Sequence, residues 1–312
     1  MFNVLTGCGK LFILLVLKKA KYKYLSNQNI KLAKFAGFCY GVKRAVETAK
    51  KLKQENPDKN IYILGELIHN TDVINELEAL GIKTIYEVPN RGDGICIIRS
   101  HGESPETFEK IKKAGFELVD LTCPDVKKVQ QKAIELAKND YFVVIVGKPN
   151  HPEVMAIKAN ADLYSKNVVV ATTIEELEPY ADKIKSHKKA GVVVQTTQMV
   201  SSLNLVVNYL NTLAKEVLIH NTICQSTAMR QKEAKELASE SDLMVVVGSK
   251  KSANTTHLAE ILKNCTKTIH IENDSELDED LFKGVNNIGI TAGASTPQVV
   301  IDKVITKIKK GK

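Results

Sequence analysis

The chain has 312 residues, of which 44% are hydrophobic and 26% are charged, a composition typical of a globular protein with two or three domains. Residues 1–31 contain six lysines and no acidic residue, so they supply most of the net charge of +8. The rest of the chain is nearly neutral and contains no tryptophan, whereas a nucleic-acid-binding protein needs a basic face with aromatic side chains. We therefore expect no nucleic-acid partner.

The first predicted feature is an N-terminal extension over residues 1–29, which we expect to be poorly ordered. Its apolar run LFILLVL has seven residues, whereas a membrane-spanning helix needs about 20. Almost no positive charge precedes this run and KKAKYKY follows it, which is not the pattern of a secretory signal peptide. We expect no stable membrane insertion.

From Ile30 onward, short β-branched runs alternate with amphipathic helical patterns. Runs such as VVIV and MVVV are typical of strands that are buried on both faces, as in a parallel sheet covered by helices. The sequence therefore predicts an α/β protein with mainly parallel sheets. The predicted strands are IKLAKF, IYIL, GICIIRS, YFVVIVG, NVVVA, GVVVQ, DLMVVVG, TIHI and NNIGITAG. The predicted helices cover residues 41–54, 104–114, 124–139, 198–214, 226–239 and 296–309.

A coarse internal repeat divides the folded part. VVIVGKPNHPEV and MVVVGSKKSANT share a strand, a glycine and a polar loop that leads into a helix, and IYILGELIHNTDV fits the same template less strictly. Copies about ninety residues apart predict three similar small α/β units. We place them at 30–123, 124–220 and 221–312.

Three of the six cysteines stand directly before a predicted helix: Cys39, Cys123 and Cys224. Their separations of 84 and 101 residues match the length of a unit, so each unit would contribute one thiol to a common centre. A helix N-terminus lowers the pKa of a thiol and favours the thiolate, which is the form that binds metals. A zinc site with a histidine as fourth ligand and an iron–sulfur cubane with one open iron both remain possible on this reasoning.

The spacing of the cysteines also indicates their redox state. No C-x-x-C pair occurs, which argues against a disulfide scaffold and favours reduced thiols in a cytoplasmic protein. We interpret Cys8, Cys96 and Cys265 as structural or incidental.

Histidines follow three predicted strands and suggest an anion site. His69, His101 and His151 stand at strand ends, and Glu153 lies two residues after His151 at a predicted helix start. Histidine and glutamate together suggest anion binding with a supply of protons.

Small polar residues occupy equivalent loops. Thr196, Ser252, Asn254 and Ser295 each follow a strand and precede a helix, a geometry that cradles phosphate. The chain has neither G-x-x-x-x-G-K-[ST] nor G-x-G-x-x-G, so no P-loop and no dinucleotide fold is indicated. The sequence predicts a small phosphorylated ligand that is held without magnesium.

Eight ordered motifs carry a resemblance to a known family: GFCYGVKRA, IHN, SHG, TCP, HPEV, QTT, VVGSKKSANT and TAGASTP. In this order they resemble the 4-hydroxy-3-methylbut-2-enyl diphosphate reductase (LytB) family, from about Ile30 to the C-terminus. The resemblance implies three α/β units around a pseudo-threefold axis and one central [4Fe–4S] cluster with three cysteine ligands and one open iron. It also implies a reductive dehydroxylation that yields isopentenyl and dimethylallyl diphosphate, with electrons from ferredoxin or flavodoxin.

The resemblance assigns roles residue by residue. Cys39, Cys123 and Cys224 are the implied cluster ligands, and Glu153, Thr196 and His151 the implied catalytic residues. The implied substrate-binding residues are His69, His101, His151, Thr196, Ser252, Ala253, Asn254 and Ser295. At Ala253 the chain departs from the S-S-N pattern of many relatives, which removes one hydroxyl donor but leaves the backbone N–H.

Two other readings of the residues remain open. A metal- or cluster-binding redox sensor would explain the cysteines but not Glu153 or the phosphate-type loops. A phosphotransferase would require magnesium and would stay active without Cys39.

Overall fold

The computed structural model describes residues 29–310, and within them twelve strands form three parallel four-stranded sheets. The predicted α/β class and the three similar units are confirmed. The predicted extension, residues 1–29, lies outside the described residues except for Asn29, which begins the first strand. No helix among residues 29–310 combines the length and the hydropathy that a bilayer crossing requires.

The three sheets repeat one strand order, with the first strand of each unit at an inner position. The first sheet has the order β3-β2-β4-β5, with β2 Ile61–Leu64, β3 Ile82–Ile85, β4 Ile95–Ile98 and β5 Glu117–Asp120. The second has the order β7-β6-β8-β9, with β6 Phe142–Val146, β7 Val168–Ala171, β8 Lys189–Val194 and β9 Glu216–Ile219. The third has the order β11-β10-β12-β1, with β10 Leu243–Val247, β11 Thr268–Ile271, β12 Asn287–Ala292 and β1 Asn29–Leu32.

Strand β1 departs from the predicted unit boundaries. We assigned it to the first unit, but it pairs in parallel with β12 and so completes the third sheet. In the repeated order it takes the place that β5 and β9 take in the other sheets. The start of the folded chain therefore provides the fourth strand of the third sheet. The other predicted boundaries stay predictions.

Eleven α-helices connect the strands within the described residues. They are α1 Tyr40–Glu55, α2 Thr71–Ala79, α3 Pro105–Ala114, α4 Pro124–Lys138, α5 Pro152–Asp162, α6 Ile174–Leu177, α7 Ala181–His187, α8 Val200–Leu213, α9 Gln225–Ser239, α10 Ala253–Lys263 and α11 Gln298–Lys310. Each of the six predicted helical stretches overlaps one of them. Short 3₁₀ turns occur at Glu178–Tyr180, Asp274–Glu276 and Glu279–Phe282.

The cores lie on both faces of the inner strands. Every residue of β4, β6 and β10 is buried, because helices cover both sides of each sheet. Alternate residues of β6 accordingly belong to two different apolar clusters, one with α8 and one with α4 and α5. These fully apolar strands are the ones whose sequence signal was strongest.

Candidate active site

One cavity is lined by residues that follow strands of all three sheets. It is lined by every residue that the sequence predicted for the site, and their individual roles remain predictions. These residues are Cys39, His69, His101, Cys123, His151, Glu153, Thr196, Cys224, Ser252, Ala253, Asn254 and Ser295.

The three cysteines occupy equivalent places in the repeat. Each follows the fourth strand of a sheet (β1, β5 or β9) and is the N-cap residue of the next helix (α1, α4 or α9). Each backbone N–H also donates to the carbonyl that lies two residues beyond the third strand of the same sheet. The three bonds run from Cys39 to Ala294 (3.2 Å), from Cys123 to Ser100 (3.0 Å) and from Cys224 to Thr196 (3.1 Å).

A glycine leaves room beside two of the thiols. A Cβ atom at Gly41 would lie 2.7 Å from the Sγ of Cys123 and 4.0 Å from the Sγ of Cys39. A side chain there would therefore collide with one thiol and fill the space between both. Three convergent thiols around a bare backbone fit a thiolate-held metal group.

The predicted low pKa of these thiols is wrong for two of them. Burial raises the pKa of Cys123, and it raises that of Cys224 to about 11. Backbone N–H groups of α4 and α9 lower the two values, but the loss of hydration outweighs them. Metal binding at this site would release protons, since a bound thiol is deprotonated.

The remaining described cysteines lie elsewhere. Cys96 is buried in β4 within an apolar cluster, and Cys265 is exposed with its thiol donating to the carbonyl of Ile261. Among residues 29–310, the cavity thus has three cysteines in its lining and no fourth.

The three predicted histidines form one cluster. The ring centroids of His69 and His101 lie 4.7 Å apart, those of His101 and His151 5.5 Å, and those of His69 and His151 5.9 Å. One ring nitrogen of each lies within 4.8 Å of one ring nitrogen of the other two. Such a cluster could hold a metal ion or an anion.

Hydrogen bonds favour the anion. The Nδ1 of His151 accepts the N–H of Glu153 at 3.2 Å, so its proton sits on Nε2, which is then a donor and not a metal ligand. The Nδ1 of His69 donates to Glu66 at 2.9 Å. The Nδ1 of His101 is buried without a protein partner, and this leaves it available to a ligand.

At least two of the three histidines are uncharged at neutral pH. Burial lowers the pKa of His101 well below its ordinary value and that of His151 to about 3, and the neighbouring rings and Arg99 add to both effects. A bound anion would reverse these shifts, because it stabilises imidazolium. The cluster is therefore able to take up protons when an anion binds.

Glu153 has a buried carboxyl group that accepts two hydrogen bonds from Thr196. It is 2% exposed, and the backbone N–H and the hydroxyl of Thr196 donate to its two oxygens at 2.6 and 2.8 Å. Burial raises its pKa from 4.5 to about 7, although the Thr196 bonds lower it and the negative charge of Asp125 adds a smaller rise. A carboxyl with this pKa can give up a proton near neutral pH.

The third unit contributes a helix start. Ser252 is the N-cap residue of α10, Ala253 is its first residue, and both line the cavity with Asn254. The Nδ2 of Asn254 is buried without a protein partner. The hydroxyl of Ser295 donates to the carbonyl of His69 at 3.2 Å and so connects the third unit to the first. Free donors at a helix N-terminus suit an anionic ligand.

Sequence reasoning missed several residues around the cavity. The hydroxyl of Tyr40 donates to Asp125 at 2.8 Å and links the first turns of α1 and α4. His257, buried in α10, donates through Nδ1 to the carbonyl of Thr197 at 2.9 Å. Asp125 could have been found from its place one residue after the CP dipeptide, whereas Tyr40 and His257 carry no signal of their own.

Comparisons with known proteins agree with this site. The LytB protein family matches residues 30–309. The 4-hydroxy-3-methylbut-2-enyl diphosphate reductase of Geotalea uraniireducens is 43% identical over 283 residues, which cover 89% of this chain and 96% of that protein. The reductase of the same name from Aquifex aeolicus is 40% identical over 284 residues, with 90% and 96% covered. A relative of that name from Clostridium tetani is 45% identical over 289 residues, and there the match covers 90% of this chain but 43% of the relative.

Two solved structures share the fold. One is of (E)-4-hydroxy-3-methyl-but-2-enyl diphosphate reductase, described as the terminal enzyme of the non-mevalonate pathway; it has a TM-score of 0.67 and 39% identity, with 91% of this chain and 99% of that chain covered. The other is the E-1-hydroxy-2-methyl-but-2-enyl-4-diphosphate reductase of Plasmodium falciparum, with a TM-score of 0.82 and 29% identity, where 90% and 87% are covered. The resemblance stated from the eight motifs is confirmed.

Proposed function

The chain belongs to the LytB protein family, and from this and its site we propose that it reduces (E)-4-hydroxy-3-methylbut-2-enyl diphosphate to isopentenyl and dimethylallyl diphosphate. This would be the last step of the methylerythritol phosphate route to isoprenoids. One observation carries the proposal: the buried carboxyl of Glu153 shares a single cavity with three thiols and three imidazoles.

The cofactor of this reaction is one [4Fe–4S] cluster per chain, held by Cys39, Cys123 and Cys224, with one iron open to substrate. Supporting this assignment are the three thiols at equivalent helix starts and the missing side chain at Gly41. When bound, such a cluster supplies electrons one at a time and a Lewis-acidic iron. Ferredoxin or flavodoxin as the electron donor and a cytoplasmic location remain predictions.

The substrate diphosphate lies against the histidine cluster in this proposal. His151 has its Nε2 proton ready to donate, and His101 has a buried nitrogen without a protein partner. As the anion binds, the pKa values of these imidazoles rise and their hydrogen bonds gain charge assistance. The remaining contacts come from the third unit, namely Ser252, the backbone N–H of Ala253, Asn254 and Ser295.

Glu153 delivers the proton that the departing oxygen needs. Removal of the allylic hydroxyl as water consumes two electrons and two protons, one proton going to oxygen and the other to carbon. Burial keeps the Glu153 carboxyl protonated up to about pH 7, and the hydroxyl and N–H of Thr196 fix its orientation. The low exposure of Glu153 also keeps bulk water from competing for the proton.

Anaerobic turnover tests the proposal. The purified, reconstituted chain is given hydroxymethylbutenyl diphosphate and reduced viologen, and the two C5 diphosphate products are quantified beside iron and sulfide. We expect product formation together with about four irons and four sulfides per chain. A chain with the full complement of iron and sulfide that leaves the substrate unchanged would refute the proposed reaction.

The alternative of a cluster-binding sensor without catalysis is not favoured. A sensor needs the three thiols, but it has no use for a protonated carboxyl beside an anion-binding histidine cluster. Stoichiometric zinc without sulfide would be its signature in the same metal measurement.

A further inference from the structure

Arginine is rare in this chain. The sequence contains 44 lysines and arginines, and only four of them are arginines. Two of the four, Arg44 and Arg230, lie on helices that begin at a cysteine, α1 and α9. Each donates to backbone carbonyls in the segment that precedes a cysteine of a different helix.

Arg44 joins α1 to the segment before Cys123. It lies five residues after Cys39, and its Nη2 donates to the carbonyls of Leu121 at 3.2 Å and of Thr122 at 2.8 Å. These are the two residues that precede Cys123. One guanidinium nitrogen, with its two hydrogens, thereby ties the helix that Cys39 begins to the approach to Cys123.

Arg230 joins α9 to the segment before Cys39 in the same manner. It lies six residues after Cys224 and is 3% exposed. Its Nη2 donates to the carbonyl of Gly37 at 2.9 Å, and its Nη1 donates to the carbonyls of Phe35 and Ala292, the latter at 2.7 Å.

A carboxylate on α9 completes this attachment. The two oxygens of Glu233 accept the backbone N–H groups of Lys34 and Phe35 at 2.7 and 2.9 Å. One helix, whose N-cap residue is Cys224, therefore binds both backbone N–H groups and backbone carbonyls of residues 34–37.

We propose that Arg44 and Arg230 are positioning residues that set where two of the three thiols stand relative to each other: Arg44 fixes Cys123 from α1, and Arg230 fixes Cys39 from α9. The proposal rests on the proposed function only in taking these thiols as ligands of one cluster. The approach to Cys224 is held by another device, since the hydroxyl of Thr222 accepts the N–H of Val194 at 2.8 Å.

The chemistry explains why lysine does not serve here. A guanidinium presents donors in a rigid plane and reaches two or three carbonyls at once, whereas an ammonium is a point donor on a flexible stem. A lysine keeps the charge but can hold only part of this set of carbonyls. Replacing a residue that orients the ligands of a metal site typically changes the metal affinity by about 10–100-fold.

The test uses Arg44→Lys and Arg230→Lys, with the exposed Arg91→Lys as the matched control. Circular dichroism first establishes that each full-length chain is folded. Without iron and under anaerobic conditions, iodoacetamide then alkylates the thiols, and mass spectrometry gives a rate for each cysteine. Keeping the positive charge means that a changed rate reports on the position and mobility of a thiol.

We expect a pattern that differs between the variants. Arg44→Lys accelerates alkylation of Cys123 by about tenfold and Arg230→Lys does so for Cys39, because each loses charge-assisted hydrogen bonds at that one segment. Cys224 keeps its rate in both, and Arg91→Lys changes none. In the reconstituted proteins, iron is lost to a chelator about 10–100-fold faster than from wild type or Arg91→Lys.

Two outcomes would overturn the proposal. Unchanged rates at Cys123 and Cys39 would show that the arginines do not position them, and an equal acceleration of all three cysteines would show a general loss of stability. If Arg230→Lys does not fold, Arg44→Lys decides alone through the rate at Cys123. Neither measurement involves turnover, so the positioning role and the proposed reaction can fail separately.

Discussion

Two sets of residues line the same cavity and follow the threefold repeat differently. The first, the cysteine set, places the same residue type at the same structural position in every unit: Cys39, Cys123 and Cys224. The second, the loop set, occupies equivalent loops with different residue types: His69, His101, His151, Glu153, Thr196, Ser252, Asn254 and Ser295.

The difference follows from what each set binds in the proposed function. A cluster offers equivalent metal corners to three units, so the units can repeat one ligand. An allylic diphosphate has an anionic end and a hydroxyl end, and units that all carried the same loop residue could not distinguish them. In the proposed function, the repeat therefore provides equivalent positions for the ligands, and the differences between the loops provide substrate recognition and the acid.

Serine at any position of the cysteine set should give the largest effect. In Cys39→Ser, Cys123→Ser or Cys224→Ser, the loss of one of three thiolates should abolish cluster retention, and turnover should fall below detection. Iron and sulfide analysis after anaerobic reconstitution measures the first effect and product formation the second.

The control for these variants is Cys265→Ser. Its thiol is exposed and donates to the carbonyl of Ile261 in the preceding helix, α10, so iron content and turnover should stay at the wild-type level. Full iron retention in any one of the three cysteine variants would show that the three cysteines are not equivalent ligands.

Glu153→Gln should give the next largest effect and should separate the two sets. Glutamine keeps the size; its oxygen can accept the N–H of Thr196 and its NH₂ group can donate to the Thr196 hydroxyl. It has no acidic proton to give. We expect kcat to fall about 10²–10⁴-fold with unchanged iron content, which is the range for loss of a general acid. Glu109→Gln on the exposed face of α3 is the matched control. Turnover at the wild-type rate would refute Glu153 as the proton source.

His101→Phe should act on binding more than on chemistry. Phenylalanine keeps a ring of similar shape at this position but removes both nitrogens, one of which is buried without a protein partner. We expect KM to rise about 10–100-fold, the equivalent of one hydrogen bond to a charged group, with a smaller change in kcat. His187→Phe, which loses a bond to the carbonyl of Asp140 outside the cavity, should leave KM unchanged. A reversed split, with kcat lowered and KM constant, would place His101 in proton transfer.

The pH dependence of wild-type turnover follows from the raised pKa of Glu153. Burial, assisted by Asp125 from α4, raises this pKa to about 7. His151, whose Nδ1 accepts the backbone N–H of Glu153, stays uncharged in this range. Below pH 7 the carboxyl holds its proton, and above it the acid form is lost. We expect kcat to fall about tenfold per pH unit on the alkaline side, and Glu153→Gln should lack this limb. An alkaline limb that persists in Glu153→Gln would assign it to another group.

The fold could be predicted wherever burial on both faces left an apolar run. The inner strands β4, β6 and β10 gave such runs, whereas β3, β5 and β9 were missed. These three are edge strands of four residues with few fully buried positions, and each includes one or two charged residues, so none of them leaves an apolar run. The position of β1 in the third sheet could not be predicted, because local periodicity does not say which strand a segment will pair with.

The sequence predicted which residues would line the cavity where their side chains have a specific chemistry. It predicted less well the properties that depend on the folded surroundings of those side chains. Three pre-helix cysteines at the spacing of the repeat identified the cysteine set. The thiol pKa was predicted with the wrong sign, since the cost of burial depends on the folded surroundings. Arg44 and Arg230 were missed because their acceptors are backbone carbonyls. Every residue has a backbone carbonyl, so the residue types of a loop do not show which carbonyl will accept a hydrogen bond.

Ala253→Ser should give the smallest effect and tests how far the loop set relies on backbone donors. Ala253 is 5% exposed and is the first residue of α10, so its N–H is one of the helix donors without an intrahelical partner. A serine would add one hydroxyl beside that N–H, and a single neutral hydrogen bond contributes about 0.5–1.5 kcal/mol. Because the N–H already lacks an intrahelical partner and can serve the ligand, we expect KM to fall at most about fivefold, with kcat and iron content unchanged. Ala259→Ser, on the same helix but within an apolar cluster, should instead lower thermal stability without improving KM. A fall in KM of a hundredfold at Ala253 would mean that a side-chain hydroxyl, and not the helix start, dominates diphosphate binding in the third unit.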